Sequence, residues 1–540
     1  MSIPVEAIEK LLDQCYPNFS YRPNQKEGIL AILHTMANSK KRYIILDAPT
    51  GVGKSWIGRQ VAEVFVRVYE LSSLFITKTI ALQNQYIEDF PEIKKLMSST
   101  NYDCSVDHPV PIPPKHKHHP TCKFHKSSGL CDYEIARVEY ANSNYKTLNY
   151  AFFLNGIEHY NTDGLLIADE AHNLEESILD TFDTKISFAD LRGEGIGDIH
   201  LDNYLPNSEL ITHLTTEHVI ALVEFLRTAL GRISSTIDNI EEMLEEESDS
   251  KAVLKVLETQ LEPLKRKMNK LGALHRIMAL LASDNINRWD IHFDKEEKVF
   301  LIKPVFIPNF VHKAVFGMAS KILFMSATAE RVIESLKLPK SECEVFTLPY
   351  VFDIKNRPFY AFKDLPSLGR DSFDKSFPEY VKTVDAILDQ YPTTTNVIVH
   401  SVSYKNAELL RNSSKHKDRI FIPTSQEVRS IKEHAGNGRI IVSPSITEGV
   451  DLGDGLAAVQ IFLKVPYPFL GSSWVAKKMD YDEGWYAYKA MLTIIQGTGR
   501  GIRSATDKAE TFMLDPSFRR LHTQTEQFVP KWFSDSITYI

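Results

Sequence analysis

The sequence predicts an α/β protein built as two parallel-sheet units, the first of them interrupted by two insertions. Three observations carry that expectation. Short, continuous apolar runs recur, each followed by a turn and a helix-length segment, which is the pattern of strands buried on both faces of a parallel sheet. The runs form two groups, at 43–46, 165–168 and 322–325 and then at 396–399, 440–442, 459–463 and 512–514. Finally, 540 residues exceed what one core holds at roughly 150 residues per domain, so more than one unit is required.

Composition narrows the classes. With 43% hydrophobic and 24% charged residues the chain falls among ordinary folded proteins, and neither a disordered nor a membrane composition fits. No apolar run reaches the ~20 residues of a membrane helix. Residues 1–17 read as an amphipathic, acid-bearing helix without the apolar stretch of a signal peptide, so the expected address is the cytoplasm, nucleoid-associated or viral settings included. A net charge of −8 supplies no global basic field, and any nucleic-acid contact must come from local clusters of Lys and Arg. Of the five cysteines, Cys15 and Cys343 stand alone as packing thiols, whereas Cys104, Cys122 and Cys131 fall within 28 residues.

Taken in chain order, the first strand runs into Ala48-Pro49-Thr50-Gly51-Val52-Gly53-Lys54-Ser55 and then the helical pattern of 56–62. Such a turn points backbone N–H groups of Thr50, Gly51, Val52 and Gly53 at phosphates, and the helix N-terminus adds positive potential. Lys54 is expected on the β- and γ-phosphates of ATP and the Ser55 hydroxyl on Mg²⁺. Ala48 occupies the position where the general pattern has Gly.

Residues 98–135 have neither helix nor strand period and hold Cys104-x17-Cys122-x2-His125-x5-Cys131. Three thiolates and an imidazole suit zinc, and His108, His116, His118 and His119 are near enough in sequence to compete as fourth ligand. Lys115, Lys117, Lys123 and Lys126 with Phe124 and Tyr133 interleave cations and rings, as single-stranded nucleic acid requires; a solvated basic loop has the same composition.

The run at 165–168 ends in Asp169-Glu170-Ala171-His172. A carboxylate at that strand end suits the Mg²⁺ shell and its neighbour suits orientation of the attacking water, so Asp169 is assigned to the metal and Glu170 to the water. Residues 183–312 read as mainly helical, with apolar residues from Leu254 to Leu281 stepping by three and four, and the same steps at Ile233, Ile237, Ile240 and Leu244. An acidic turn at 245–250 separates them; a projecting antiparallel arm and an ordinary bundle both fit. In the second unit, Gln496-Gly497-Thr498-Gly499-Arg500-Gly501-Ile502-Arg503 places Arg500 and Arg503 on one helical face, where planar guanidinium groups suit phosphate charge in a transition state.

The order of these motifs resembles superfamily 2 helicases, specifically the XPD/DinG family of iron–sulfur helicases, over most of residues 20–520. Further elements carry the resemblance: Tyr21-Arg22-Pro23-Asn24-Gln25, Thr77-Lys78-Thr79-Ile80-Ala81-Leu82-Gln83, Ser326-Ala327-Thr328 and Val399-His400-Ser401. Ser445-Ile446-Thr447-Glu448-Gly449-Val450-Asp451, Lys464-Val465-Pro466-Tyr467-Pro468 and Trp485-Tyr486 complete the set.

The resemblance implies two RecA-like motor domains that close on one ATP, with a metal-cluster loop and a helical arch inserted in the first. The corresponding bounds are 1–97 with 136–182 and 313–345 for motor domain 1, 98–135 for the cluster, 183–312 for the arch and 346–540 for motor domain 2. It further implies that Arg22, Gln25 and Asp451 contact the nucleotide, and that Gln496, Arg500 and Arg503 complete the site from the second domain. A four-iron cluster is implied on Cys104, Cys122, His125 and Cys131; family members use four cysteines, so His125 is a departure that keeps zinc as the alternative. The implied activity is ATP-dependent translocation on single-stranded DNA, 5′→3′, with unwinding at duplex junctions by a monomer. A translocase that remodels nucleoprotein or RNA–DNA hybrids is the alternative, and an ATP-clamped binding module the third reading.

Overall fold

The computed structural model describes the chain except residues 1–2, 50, 103–131, 157–162, 247–250, 330, 370, 425–435, 437, 445, 447–454 and 503–505, and except the side chains of 245, 246, 251–255, 258, 310 and 500. The insertion with Cys104, Cys122, His125 and Cys131, together with Thr50, Asp451 and Arg503, therefore lies outside the described residues.

Strands in the first half are β1 (Tyr43–Asp47), β2 (Ser73–Thr77), β3 (Lys94–Lys95), β4 (Tyr145–Asn149) and β5 (Leu165–Asp169). Then come β6 (Thr184–Ile186), β7 (Trp289–Asp294), β8 (Val299–Pro304), β9 (Lys321–Ser326) and β10 (Cys343–Thr347). Seven of them form one parallel sheet in the order β10-β1-β9-β5-β2-β4-β3. Alternation along these strands feeds two cores: Tyr43, Ile45, Leu166 and Phe324 pack on one face, and Ile44, Leu46, Ile167 and Met325 on the other. That is why the runs read as unbroken apolar stretches. Register pairs Asp47 with Ser326 and Asp169 with Met325, so the strand ends that carry 48–55, 169–172 and 326–328 share one edge of the sheet.

The second half repeats the plan. Strands β11 (Phe359–Ala361), β12 (Val397–His400), β13 (Ile420–Phe421), β14 (Ile440–Ser443), β15 (Val459–Phe462), β16 (Glu510–Met513) and β17 (Ile537–Tyr539) form a parallel sheet in the order β13-β14-β12-β15-β16-β11-β17. Helix Trp485–Thr498 lays Met491, Ile494 and Ile495 on the face that holds Phe359, Phe462 and Met513.

Residues 183–312 are not all helix. Strands β6, β8 and β7 make a three-stranded antiparallel sheet beside two long helices, Thr216–Glu246 and Lys251–Ser283. Strand β8 alternates: Phe300 and Ile302 are buried while their neighbours Val299, Leu301 and Lys303 are half-exposed, a two-residue period that the long helical stretch before it obscures. The helices run antiparallel, since Gly272 lies against Leu230 and Lys265 pairs with Glu241. Much of the three-and-four seam is inward: Ile233, Ile237, Ile240, Leu257, Leu271, Met278 and Leu281 are buried, though Met268 is exposed. Among the described residues no helix is long and apolar enough to cross a membrane.

Helix Ser473–Tyr481 of the second half seats on the first half and its insertion. Trp474 Nε1 donates to the Pro304 carbonyl at 2.9 Å, Ser473 Oγ to Asp290 at 2.7 Å, and Lys477 Nζ to the Trp289 carbonyl at 2.5 Å.

Candidate nucleotide site

Strand β1 delivers the chain to the turn before helix Lys54–Tyr69 through Gly51 and Gly53, at φ +86° and +87°. Both values lie where a side chain is strained, and a Cβ on Gly51 would sit 2.1 Å from the Phe352 ring. The turn is braced from behind by the 21–25 segment. Arg22 donates from its guanidinium to the Gly51 carbonyl, and the buried Gln25 amide donates to the carbonyls of Val52 at 3.3 Å and Gly53 at 3.4 Å. Gln25 Oε1 in turn accepts from the Arg22 backbone N–H at 3.0 Å. Gln25 thus grips the phosphate turn itself, while Arg22 also faces the open cleft. Lys54 Nζ lies 3.3 Å from the Ala48 carbonyl.

Strand β5 delivers Asp169, buried, and Glu170, whose φ of +54° is a left-handed conformation uncommon outside glycine. Asp169 is held on three sides. Tyr86 donates its phenol to Oδ2 at 2.9 Å, the Glu170 N–H donates to Oδ1 at 3.0 Å, and Tyr150 donates to the Asp169 carbonyl at 2.5 Å. Burial and then the neighbouring Glu170 carboxylate push Asp169 up to about 6, against the pull of Lys54 and the Tyr86 hydrogen bond. Burial likewise raises Asp47 at the end of β1.

His172 is the hub between the halves. Its Nδ1 is 2.9 Å from Ser326 Oγ, and its Nε2 meets the amides of Asn173, at 2.7 Å, and of Gln496. An Nδ1–H tautomer donates to Ser326 and leaves the single Nε2 lone pair to be shared by the two amides. Ser326 Oγ also accepts from the Thr328 N–H at 3.0 Å, and Asn173 Oδ1 accepts from Lys78 at 3.1 Å. Four of the segments singled out from sequence, around 78, 172, 326 and 496, therefore meet in one hydrogen-bonded chain.

These groups border a cleft of about 350 Å³, within the range usual for small-molecule sites. The first half contributes Arg22, Gly51, Gly53, Lys54, Ser55, Asp169, Glu170 and Ala327; the second contributes Ile495, Gln496, Gly499 and Trp532. Arg500 lies in the turn Gly499–Gly501 that follows Gly499 at the cleft wall. Sequence reading missed Tyr86, Tyr150 and Trp532. Trp532 comes from near the end of the chain, stacks on Tyr350 with centroids 5.4 Å apart, and carries the Arg357 guanidinium over its ring at 4.1 Å. No local motif marks it.

The donor set fits a hard cation carried by phosphates. Ser55, Asp169 and Glu170 offer only oxygen, and among the described residues no group of three or more His, Cys, Asp and Glu is placed to hold a metal alone. Mg²⁺ characteristically binds through one or two carboxylates together with substrate phosphates.

Known proteins match both halves. The family described as the res subunit of type III restriction enzymes matches residues 18–189, and the helicase C-terminal domain matches 386–536. The ATP-dependent DNA helicase CHL1 of Saccharomyces cerevisiae is 21% identical over 512 residues, covering 76% of this chain and 57% of its own length. A probable ATP-dependent helicase of Methanocaldococcus jannaschii is 22% identical over 621 residues, covering 93% and 92%. The ATP-dependent DNA helicase DinG of Escherichia coli is 30% identical over 100 residues, covering 18% and 14%. A solved XPD helicase superposes with a TM-score of 0.58 at 16% identity, covering 96% of this chain and all of that one. Xpd4 of S. tokodaii gives 0.57 at 13% identity with the same coverage. The chain spans little more than half the length of the yeast relative; the structural likeness shows that the two parallel sheets are the RecA-like lobes of the XPD fold.

Proposed function

We propose that this distant relative of the XPD and DinG helicases is an ATP-dependent DNA helicase whose two halves close on one nucleotide. The observation that carries the reading is the cleft itself. Phosphate-turn and acidic residues of the first sheet face Gln496, Gly499 and Trp532 of the second, and the Gln496–His172 hydrogen bond crosses between them.

In this reading the backbone of 50–53 and Lys54 hold the phosphates, and Ser55 and Asp169 hold Mg²⁺. When bound, the ion neutralises charge on the phosphate oxygens. Glu170 aims a water at the γ-phosphorus and takes its proton as the new P–O bond forms and the bond to the ADP oxygen breaks. Arg500 and Arg503 complete the charge stabilisation from the second half, and Arg22 and Asp451 contact the nucleotide. Gln25 reads the adenine, and its hydrogen bonds to the phosphate turn support that placement. Because His172 joins Glu170's segment to both Ser326 and Gln496, a change in the second half's position reaches the acids directly.

The track is single-stranded DNA, and the direction, 5′→3′, rests on the family resemblance. Cys104, Cys122, Cys131 and His125 are proposed as the ligands of a four-iron cluster; iron content with a broad visible absorption band supports it, and stoichiometric zinc replaces it. The decisive experiment measures ATP turnover with and without single-stranded DNA in wild type, Lys54→Ala and Glu170→Gln. DNA-stimulated turnover by the wild type alone is expected, at least ~100-fold above either variant. Equal turnover in all three would end the motor reading. Strand displacement from 5′- and 3′-tailed duplexes then separates a helicase from a translocase and sets the direction.

A further inference from the structure

One side chain that hydrogen-bonds the expected magnesium carboxylate belongs to none of the motifs. Tyr86 lies near the end of helix Ile80–Asp89 with its ring packed against Phe75 and Phe90, at centroid distances of 5.3 and 6.0 Å. Its phenol is buried and donates to Asp169 Oδ2 at 2.9 Å. One phenol thus holds the carboxylate that the ATP-site reading places on the metal.

The direction of that bond is fixed by chemistry, since an ionised carboxylate can only accept and the phenol supplies the proton. On the carboxylate side, the phenol on Oδ2 and the Glu170 N–H on Oδ1 fix the plane of Asp169 from two directions and leave each oxygen a further lone pair. Tyr150 provides the contrast: it is equally buried and also donates to Asp169, but to the backbone carbonyl at 2.5 Å.

We propose that Tyr86 is a positioning residue of the metal site, which orients the Asp169 carboxylate so that it presents a lone pair to a nucleotide-borne divalent cation. The proposal deepens the ATP-site reading and rests on it. Partners that orient metal ligands change metal affinity by roughly 10–100-fold when removed.

The test titrates Mn²⁺ into the full chain with ADP bound and reads free Mn²⁺ by electron paramagnetic resonance, for wild type, Tyr86→Phe and Tyr150→Phe. Each Phe keeps the packed ring. Tyr86→Phe is expected to weaken Mn²⁺ binding about ten-fold while ADP affinity measured in EDTA stays within about two-fold of wild type, and Tyr150→Phe to shift Mn²⁺ binding by no more than about two-fold. Unchanged Mn²⁺ affinity in Tyr86→Phe, or equal losses in both variants, overturns the positioning role while leaving the ATP site standing. A wild type that binds no Mn²⁺ with ADP overturns the ATP-site reading and this inference together.

Discussion

Asp169 shows what the site asks of a single residue. Its carboxyl is pushed up to about 6, from an ordinary 3.8, mainly by burial and then by Glu170. The sign follows from proton counts. Between those values the folded state holds a proton that the unfolded chain has already lost, so stability falls as pH rises from about 4 to about 6 and stays reduced above it. Asp169→Asn removes that penalty and keeps the contacts, its oxygen accepting from the Glu170 N–H and its amide donating to the Tyr86 phenol. In EDTA, the Asn variant is therefore expected to be more stable than wild type above about pH 6 by on the order of 1–3 kcal/mol, with the gap closing near about pH 4. Melting curves across that range check it; a constant gap would show that the buried charge costs nothing. Lys54, Ser55, Asp169, Glu170 and Gln496 were all legible in the sequence, because phosphate turns and strand-end acids have fixed local spacing. Tyr86, Tyr150 and Trp532 were not, because each reaches the site from an element whose local pattern is that of ordinary packing.

At the scale of elements, legibility tracked the apolar content of each buried strand. Strands β1, β5, β9, β12, β14, β15 and β16 stand out as apolar runs since both faces are covered. Strands β2 and β4 were missed: Ser73, Thr77 and Thr147 are polar yet fully buried, and they dilute a run of five residues to two or three apolar positions. In the insertion the helical seam was legible and the β6-β8-β7 sheet was not, since β7 and β8 follow a long stretch of heptad steps and β6 is only three residues long. That insertion has a core of its own, in which Phe225, Leu226 and Ile233 pack with Leu271, Met278 and Trp289. An element with its own core can loosen without dissolving the sheets. Phe225→Ala is expected to cost about 3–5 kcal/mol within the insertion. Hydrogen exchange should then rise across Thr216–Glu246 and Lys251–Ser283 while β1, β5 and β9 keep their protection and ADP still binds. Loss of protection in β1 to the same extent would show one cooperative unit instead of two.

Across the whole molecule, the halves are joined on the far side of His172 by ion pairs as well as by the cleft. Arg331 forks onto Asp482 at 2.9 and 2.8 Å, Lys489 reaches Glu176 at 2.7 Å, and Lys478 reaches Glu175 at 2.8 Å. Lys478 is only 1% exposed and also donates to the Val305 carbonyl at 3.0 Å, so it ties helix Leu174–Thr181 and the end of the insertion to the second half at once. That helix starts two residues after His172, which makes it the mount of the acidic pair. A buried ion pair adds little net stability when intact, but removing one partner leaves the other charge without compensation, at a cost of up to ~3–5 kcal/mol. Lys478→Met should therefore weaken the closed arrangement, seen as a longer distance between fluorophores placed on the two halves, whereas Lys478→Met combined with Glu175→Gln should recover most of it. Turnover should follow the distance, falling in the single variant and returning in the double, while ADP binding to the first half alone stays intact. A double variant as open and as slow as the single would mean that pairing with Glu175 has no part in setting the acids, and that Lys478 acts through its other contacts, among them its ammonium over the Phe306 ring at 4.9 Å.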